Sequence, residues 1–202
     1  MKILIYTSIT GGYEQDRTDI KVFTKEIMQD PKKSSLFYKA ITPDFDKYDY
    51  SIWIDGNTGL KVAPEYLIEK YLKNDDIACL RHPDRNCIYD EAKTCQTLKL
   101  DKPETITSQM VRYLEKGYPK DNGLSCTTYI LRRHTEKIVE FNRLWWEEIC
   151  KGSRRDQLSF DYALWKLGIK PKWFDVYHFD SHKKNPYFNY TNHHNDKTKY
   201  EI

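Results

Sequence analysis

The stretch that most constrains the fold is residues 50–60, where a short hydrophobic run passes directly into polar residues. Residues 50–54 are mostly aromatic or β-branched, a composition that favours a buried strand. Asp55, Gly56 and Asn57 follow at once. Because ligands of open α/β sheets bind beyond the carboxyl ends of the strands, a carboxylate at position 55 is well placed for chemistry. The same three residues are also common turn formers, and taken alone they favour a simple turn.

Strand and helix patterns alternate along the rest of the chain. Residues 2–6 predict a first strand. Further strands are predicted at residues 36–40, 48–54, 77–80, 126–132 and 172–178. Helices are predicted at residues 64–74, 88–100, 107–116 and 135–150, and after a capping residue at Ser153. The alternation predicts an α/β fold, a single Rossmann-like domain over residues 1–180 in which helices flank a mixed central β-sheet.

The last segment, residues 181–202, differs from the rest in being almost entirely polar. It contains too few apolar side chains to fold alone. We therefore expect this tail to pack over the site or to be partly disordered.

Composition excludes several classes of protein. The 202 residues suit one domain, and the net charge of +3 is spread evenly, without the basic stripe of a nucleic-acid binder. Five cysteines without a CxxC spacing argue against a disulfide framework and a zinc site, and favour a reduced environment. No apolar run is long enough to cross a membrane. We expect a cytoplasmic protein, which could work at a membrane surface from outside the lipid.

Candidate ligand-binding residues collect at the predicted strand ends. After the first strand, Gly11 and Gly12 allow a close backbone approach, so that Thr7 and Tyr13 could contact a base or ribose, although GxGxxG and GK[ST] patterns are missing. Residues 81–85, Arg-His-Pro-Asp-Arg, form either a solvated loop or an anion-binding cluster. Asp156 falls at the start of a late helix, where the helix dipole stabilises acids with or without a chemical role.

Three of these segments, residues 53–57, 81–92 and 153–160, resemble the motifs of one glycosyltransferase family. This family includes plant transferases of pectic and mucilage polysaccharides and many bacterial and viral proteins. The likeness extends from Tyr6 to about His182. The resemblance implies a GT-A type enzyme of polysaccharide biosynthesis that uses a nucleotide-sugar donor, a saccharide or glycan acceptor and Mn²⁺ or Mg²⁺. We take the donor to be a UDP-sugar by analogy alone.

The resemblance also implies roles for individual residues. Asp55 and Asn57 stand where such enzymes keep an Asp-x-Asp metal motif, with an amide replacing the second carboxylate, so metal dependence is in doubt. His182, or failing that His178, would complete the metal shell, whereas His193 and His194 are left as surface residues. Asp156 would be the general base of an inverting reaction. The residues expected to bind the donor are Thr7, Thr10, Gly11, Tyr13, Asp55, Arg81 and Lys183. The residues expected to bind the acceptor are His82, Arg85, Gly123, Arg155 and Gln157.

Two other functional classes stay open at this point. A metal-dependent nucleotidyltransferase or phosphohydrolase also needs acids and arginines beside a diphosphate, although it usually requires two or more close carboxylates. Within the transferase class, a retaining route is equally open if Asp156 is only a helix cap or an acceptor hydrogen-bond partner. A carbohydrate-binding module without catalysis would be consistent with 16 tyrosines and 5 tryptophans.

Overall fold

The computed structural model of the protein describes residues 1–12, 14, 17–176 and 185–190. In this part of the chain the strands are β1 (Ile3–Ser8), β2 (Lys21–Phe23), β3 (Tyr50–Ile54), β4 (Thr58–Leu60), β5 (Ile77–Arg81), β6 (Ser125–Arg133), β7 (Lys172–Trp173) and β8 (Phe188–Tyr190). The α-helices are α1 (Pro31–Ile41), α2 (Pro64–Tyr71), α3 (Ile88–Thr97), α4 (Pro103–Glu115), α5 (Glu136–Lys151) and α6 (Gln157–Lys166).

A mixed six-stranded sheet forms the centre of the molecule, with the strand order β2-β1-β3-β6-β5-β7. Only β6 runs antiparallel to its neighbours β3 and β5 in this sheet. The carboxyl ends of β1, β3 and β5 therefore lie at the same edge as the amino end of β6. The predicted α/β, Rossmann-like domain with a mixed central sheet is confirmed.

Side chains alternate across β3 and divide the core in two. Trp53 packs on one face with α1, α5 and α6, where Phe141, Trp145 and Phe160 are fully buried. Ile52 and Ile54 pack on the other face with α2 and β8. Each large apolar side chain buried in this way stabilises the fold by roughly 1.5–3 kcal/mol. This two-sided burial holds β3, and therefore the loop that follows it, in a fixed position.

The strand predicted at residues 36–40 is wrong, because these residues lie in helix α1. Asp30 caps this helix with a carboxylate that accepts from the backbone N–H groups of Lys32 and Lys33, and Pro31 occupies its first turn. An acid followed by proline is a helix-start signal, and it prevails over the strand preference of Leu36, Phe37 and Tyr38.

The helix predicted from a Ser153 cap also begins later than expected. Helix α6 starts at Gln157, with Asp156 at its N-cap position. The Ser153 hydroxyl instead donates to Asp101 (2.7 Å) and accepts from the backbone N–H of Arg155 (3.1 Å), which stabilises the loop before the helix. The strand predicted at residues 172–178 corresponds to β7, which ends at Trp173 and is therefore shorter than predicted within the described residues.

A second sheet of two strands pairs β4 with β8 in antiparallel register. The Phe188 ring stacks on Tyr129 with a centroid distance of 3.6 Å. Because β8 pairs with β4, residues 188–190 are held against the strand that directly follows the loop at residues 55–57. None of the helices in the described ranges is both long and hydrophobic enough to cross a membrane.

Candidate active site

Asp55 begins a tight turn and also places a partly exposed carboxylate at the carboxyl edge of the sheet. Its backbone carbonyl accepts from the backbone N–H (3.0 Å) and the hydroxyl (2.7 Å) of Thr58, which closes the turn. Its carboxylate Oδ1 accepts from Trp53 Nε1 at 2.9 Å and from Lys39 Nζ at 3.3 Å. The backbone therefore makes the turn that these residues favour, while the carboxylate remains 38% exposed.

Asp156 lies at the amino end of α6 but does not cap it with its side chain. Its backbone carbonyl accepts the helical N–H of Phe160 at 3.2 Å. The carboxylate Oδ2 instead pairs with Lys39 Nζ at 2.8 Å and accepts from the Thr127 hydroxyl at 2.9 Å. Capping therefore does not explain this side chain, which shares its Lys39 partner with Asp55.

Lys39 joins these two carboxylates, and the sequence interpretation missed it. Its ammonium group contacts Asp55, Asp156 and the Thr127 hydroxyl, the last at 3.3 Å. We call these four residues the Lys39 centre. Lys39 is 5% exposed, and its ammonium lies 5.4 Å from the centroid of the Trp53 ring. Because residues 36–40 were predicted as a strand, nothing placed Lys39 near Asp55; the Asp30–Pro31 start signal could have done so.

Charge pairing decides the protonation states in the Lys39 centre. Burial alone would raise the pKa of Asp156, but the charge and hydrogen bond of Lys39 outweigh it and hold this pKa below its usual value. Burial raises the pKa of Asp55, although Lys39 opposes the shift and the exposed part of the side chain lets solvent weaken it. Burial favours neutral Lys39, yet the two carboxylates raise its pKa. At neutral pH, Asp156 and Lys39 are both charged.

The described side chains around Asp55 are not a suitable set of ligands for a divalent cation. Asp55 Oδ1 already accepts from an ammonium and an indole N–H, and a dication here would lie beside the buried charge of Lys39. Asn57 is 8% exposed and offers an amide in place of a second carboxylate. Among the described residues, the acid and thiol groups close enough to share a metal ion are Cys87, Asp90 and Asp121, away from Asp55 in the chain. His178 and His182 lie outside the described residues.

Three further cations surround the amino end of α1 and the loop before α6. Arg154 Nη1 lies 4.0 Å from Asp30 Oδ2, which brings this loop against the first turn of α1. Burial lowers the pKa of Lys32, with further contributions from the charges of Arg155 and Arg154. Asp156 raises the same pKa, so Lys32 and Asp156 are close enough to interact. Sequence reasoning proposed only Arg155 from this group.

His82 and Arg85, expected at the acceptor, are bonded mainly to their own loop and to helix α3. His82 Nδ1 accepts from the backbone N–H groups of Asp84 (3.2 Å) and Arg85 (3.1 Å). Arg85 Nε pairs with the buried carboxylate of Glu91 at 2.5 Å. The Glu91 Oε2 atom also lies 3.7 Å from His82 Nε2. We call His82, Arg85 and Glu91 the His82 cluster, and no hydrogen bond between described residues joins it to the Lys39 centre.

Arg81, Gly123 and Gln157 lie around Trp173 and Ser125. The Arg81 guanidinium lies 4.8 Å from the centroid of a Trp173 ring and donates to Asn86. Gly123 has φ +93°, and a Cβ atom there would lie 2.6 Å from Trp173 Cη2, so the predicted close backbone approach is present. Gln157 donates to the carbonyl of Ser125 at 3.0 Å. These three expected donor and acceptor residues therefore meet at the amino end of β6.

The loop after β1 is held by contacts within the protein. The Thr10 hydroxyl donates to the Pro31 carbonyl at 2.7 Å, and the Gly11 N–H donates to Glu26 at 3.0 Å. Thr7 is fully buried, and its hydroxyl has no hydrogen-bond partner among the described residues. The remaining expected residues fall outside the described residues: Tyr13, Lys183, His193 and His194.

Comparison with known proteins supports the family suggested by the three motifs. A family model described as "TOD1/MUCI70, glycosyltransferase-like domain" matches residues 22–193. Two relatives are known from Arabidopsis thaliana. The "Probable hexosyltransferase MUCI70" is 28% identical over 151 residues, which cover 70% of this chain and 26% of that protein. The "Alkaline ceramidase TOD1" is 28% identical over 151 residues, which cover 67% of this chain and 32% of that protein.

The matched region thus spans about a quarter to a third of the length of these curated relatives. The family model, by contrast, covers most of the present chain, from β2 to beyond β8. The chain belongs to the TOD1/MUCI70 glycosyltransferase-like domain family.

Proposed function

We propose that this protein is a glycosyltransferase that moves a sugar from a nucleotide-sugar donor, a UDP-sugar by analogy, to a saccharide acceptor. One observation carries the proposal. Two carboxylates that are distant in sequence, Asp55 after β3 and Asp156 before α6, meet at one ammonium at the carboxyl edge of the sheet. Ligands of open α/β sheets bind at this edge. The family membership and the hexosyltransferase name of one relative point to the same activity.

Asp156 would act as the general base of a direct displacement. Its lowered pKa keeps the carboxylate ionised at neutral pH, as a base must be. The acceptor hydroxyl would transfer its proton to Asp156 while its oxygen attacks the anomeric carbon. The bond from that carbon to the diphosphate oxygen breaks, and the electron pair leaves with the nucleoside diphosphate. This route inverts the anomeric centre.

Positive charges near Asp156 would stabilise the departing diphosphate. Lys32, Arg154 and Arg155 supply them on one side, and Arg81, at the end of β5, is a further candidate. Lys183 stays a proposal from the sequence. Pre-oriented cations stabilise charge that develops in the transition state. No step of this mechanism needs a metal ion, since the residues at Asp55 do not fit one.

The cellular compartment of the reaction is proposed from the cysteines, independently of the site. All five cysteines are free thiols. Free thiols suit a reducing compartment, so we propose a cytoplasmic enzyme of polysaccharide synthesis that could act at a membrane surface. The acceptor would then be a glycan or its saccharide precursor.

A panel of nucleotide sugars, incubated with purified protein and candidate saccharides, tests the activity. We expect slow release of nucleoside diphosphate with one donor, faster when the correct acceptor is present. Release of nucleoside monophosphate or inorganic phosphate would instead indicate a nucleotidyltransferase or phosphohydrolase. Ceramide belongs in the same panel because one relative is named a ceramidase, and release of fatty acid from it would contradict the proposal. Sugar binding without turnover would leave a carbohydrate-binding module.

A further inference from the structure

The ammonium of Lys39 is saturated with partners. An ammonium group has three N–H donors. Lys39 Nζ has oxygen atoms of Asp156, Asp55 and Thr127 at 2.8, 3.3 and 3.3 Å. The group thus holds one positive charge between two carboxylates.

The protein also fixes where this ammonium can lie. The backbone carbonyl of Lys39 accepts from Arg132 Nη2 at 2.9 Å, and Arg132 is itself fully buried between helices and sheet. The hydroxyl of Tyr6 lies 3.5 Å from the same carbonyl. Trp53 covers the ammonium from the side, and its indole N–H donates to the Asp55 oxygen that Lys39 contacts. Lys39 is therefore anchored at its backbone as well as at its charge.

A divalent cation at Asp55 would have to compete with this arrangement. It would need Asp55 Oδ1 or its partner oxygen, and it would lie close to the buried positive charge of Lys39, which would repel it. The amide of Asn57 adds no negative charge to offset that repulsion. A cation that is part of the chain also requires no binding step.

We propose that Lys39 takes the place of the divalent metal at the Asp55–Asp156 pair, so that the protein binds its nucleotide and reacts without a metal ion. The reaction in this statement rests on the proposed glycosyltransferase function. The claim about the metal does not, because it concerns cation binding by the free protein. Lys39 acts here as a positioning residue: it sets the distance between the two carboxylates and keeps Asp156 ionised.

Mn²⁺ binding, followed by electron paramagnetic resonance of the free ion, tests the claim without any turnover. We expect the chelator-treated wild-type protein to have no Mn²⁺ site that depends on Asp55, with or without UDP. Asp55→Asn should therefore leave Mn²⁺ binding unchanged. Lys39→Met should create such a site, tightening Mn²⁺ binding at least tenfold, and adding Asp55→Asn should abolish it. Lys39→Arg is the matched control, because it keeps the charge and should create no site.

The affinity for UDP gives a second readout. Calorimetric titration of the wild type should give dissociation constants within about twofold in chelator and in Mn²⁺. A wild-type Mn²⁺ site that depends on Asp55, or Mn²⁺-dependent UDP binding, would overturn the proposal, as would a folded Lys39→Met protein that gains no site. If Lys39→Met does not fold, the comparison of wild type with Asp55→Asn decides. If no nucleotide binds in either condition, the glycosyltransferase proposal fails while the Mn²⁺ result still judges Lys39.

Discussion

The Lys39 centre and the His82 cluster combine the same kinds of side chain, acids with cations near the carboxyl ends of β3 and β5, but they differ in how far solvent reaches their carboxylates. In the His82 cluster, Glu91 is 4% exposed and its carboxylate is shared between Arg85 and the ring of His82. In the Lys39 centre, Asp55 keeps 38% of its side chain exposed. The carboxylate of Glu91 is enclosed by its own loop and helix, whereas the carboxylate of Asp55 is partly exposed to solvent.

This difference separates a structural cluster from a candidate site. A buried ion pair whose members satisfy one another mainly fixes local structure, and removing one member leaves a buried charge unpaired. A carboxylate that is oriented by buried donors and still reached by solvent can meet a substrate. We therefore expect changes in the His82 cluster to lower stability, and changes in the Lys39 centre to lower activity.

The largest effect should come from Asp156→Asn. The amide cannot accept the acceptor proton, so we expect the turnover number to fall by about 10²–10⁴-fold. Donor affinity should change by no more than about threefold, because the base does not hold the nucleotide. Steady-state kinetics with the donor found in the panel, together with calorimetric donor binding, measure the two quantities. Unchanged turnover in a folded variant would remove Asp156 from the mechanism.

Glu91→Ala should be the most damaging change in the His82 cluster. It leaves Arg85 without its carboxylate, and because Arg85 is 28% exposed we expect the loss at the lower end of the range for broken buried pairs, about 3 kcal/mol of unfolding free energy. Urea denaturation measures it. Asp90→Ala, in the same helix, is the matched control, since its pair with Lys93 is exposed and should contribute under about 0.5 kcal/mol. Equal losses in both variants would contradict a structural role for Glu91.

The sequence predicted the sheet and its polar edge better than it predicted the contacts made there. The strands that contain Trp53 and Ile130 are rich in aromatic and β-branched residues, and this composition is enough to predict a strand. Asp55 could be proposed because it directly follows a clear strand, and Asp156 because residues 153–160 resemble a motif of the family. Lys39 could not, because a lysine inside a short, β-prone stretch gives no sign of burial unless helix α1 has first been identified from Asp30 and Pro31.

The roles expected for His82 and Arg85 illustrate a second limit. Sequence shows that an imidazole and a guanidinium follow β5, but it does not show that Glu91, one turn into α3, accepts from Arg85. Long-range pairing is decided by packing between elements, and no local pattern contains it. Gly123 is the opposite case, because a glycine just before a strand already suggested a close approach.

Gly123→Ala tests whether the loop beside the His82 cluster is held by that close approach. An alanine there must adopt positive φ and also displace Trp173, so we expect a loss of about 2 kcal/mol. Gly117→Ala is the matched control: it too has positive φ, +80°, but a Cβ atom there meets nothing within 4 Å. The control should lose only about 1 kcal/mol. Thermal unfolding of both variants gives the difference, and equal losses would show that the contact with Trp173 is unimportant.

The smallest expected effect is a pH dependence of the stability that comes from His82. Burial lowers the pKa of His82, with Glu91 opposing the shift and Arg85 adding to it. The unfolded chain therefore binds a proton near pH 6.5 that the folded protein resists, so stability should fall as the pH drops below about 6.5. Asp156 contributes nothing in this range, because its pKa lies below that of a free acid and its stabilising pair is lost only in stronger acid.

His82→Asn isolates this effect. An asparagine side-chain oxygen can accept from the backbone N–H groups two and three residues on, as His82 Nδ1 does, but it does not titrate. We expect wild type to lose about 1 kcal/mol relative to His82→Asn between pH 7.5 and pH 5, measured by urea denaturation at each pH. Parallel curves would mean that His82 has the same pKa in the folded and the unfolded protein, which would contradict the prediction. A wild type that instead gains stability relative to the variant at low pH would mean that the folded protein favours the imidazolium, beside the Glu91 carboxylate at 3.7 Å.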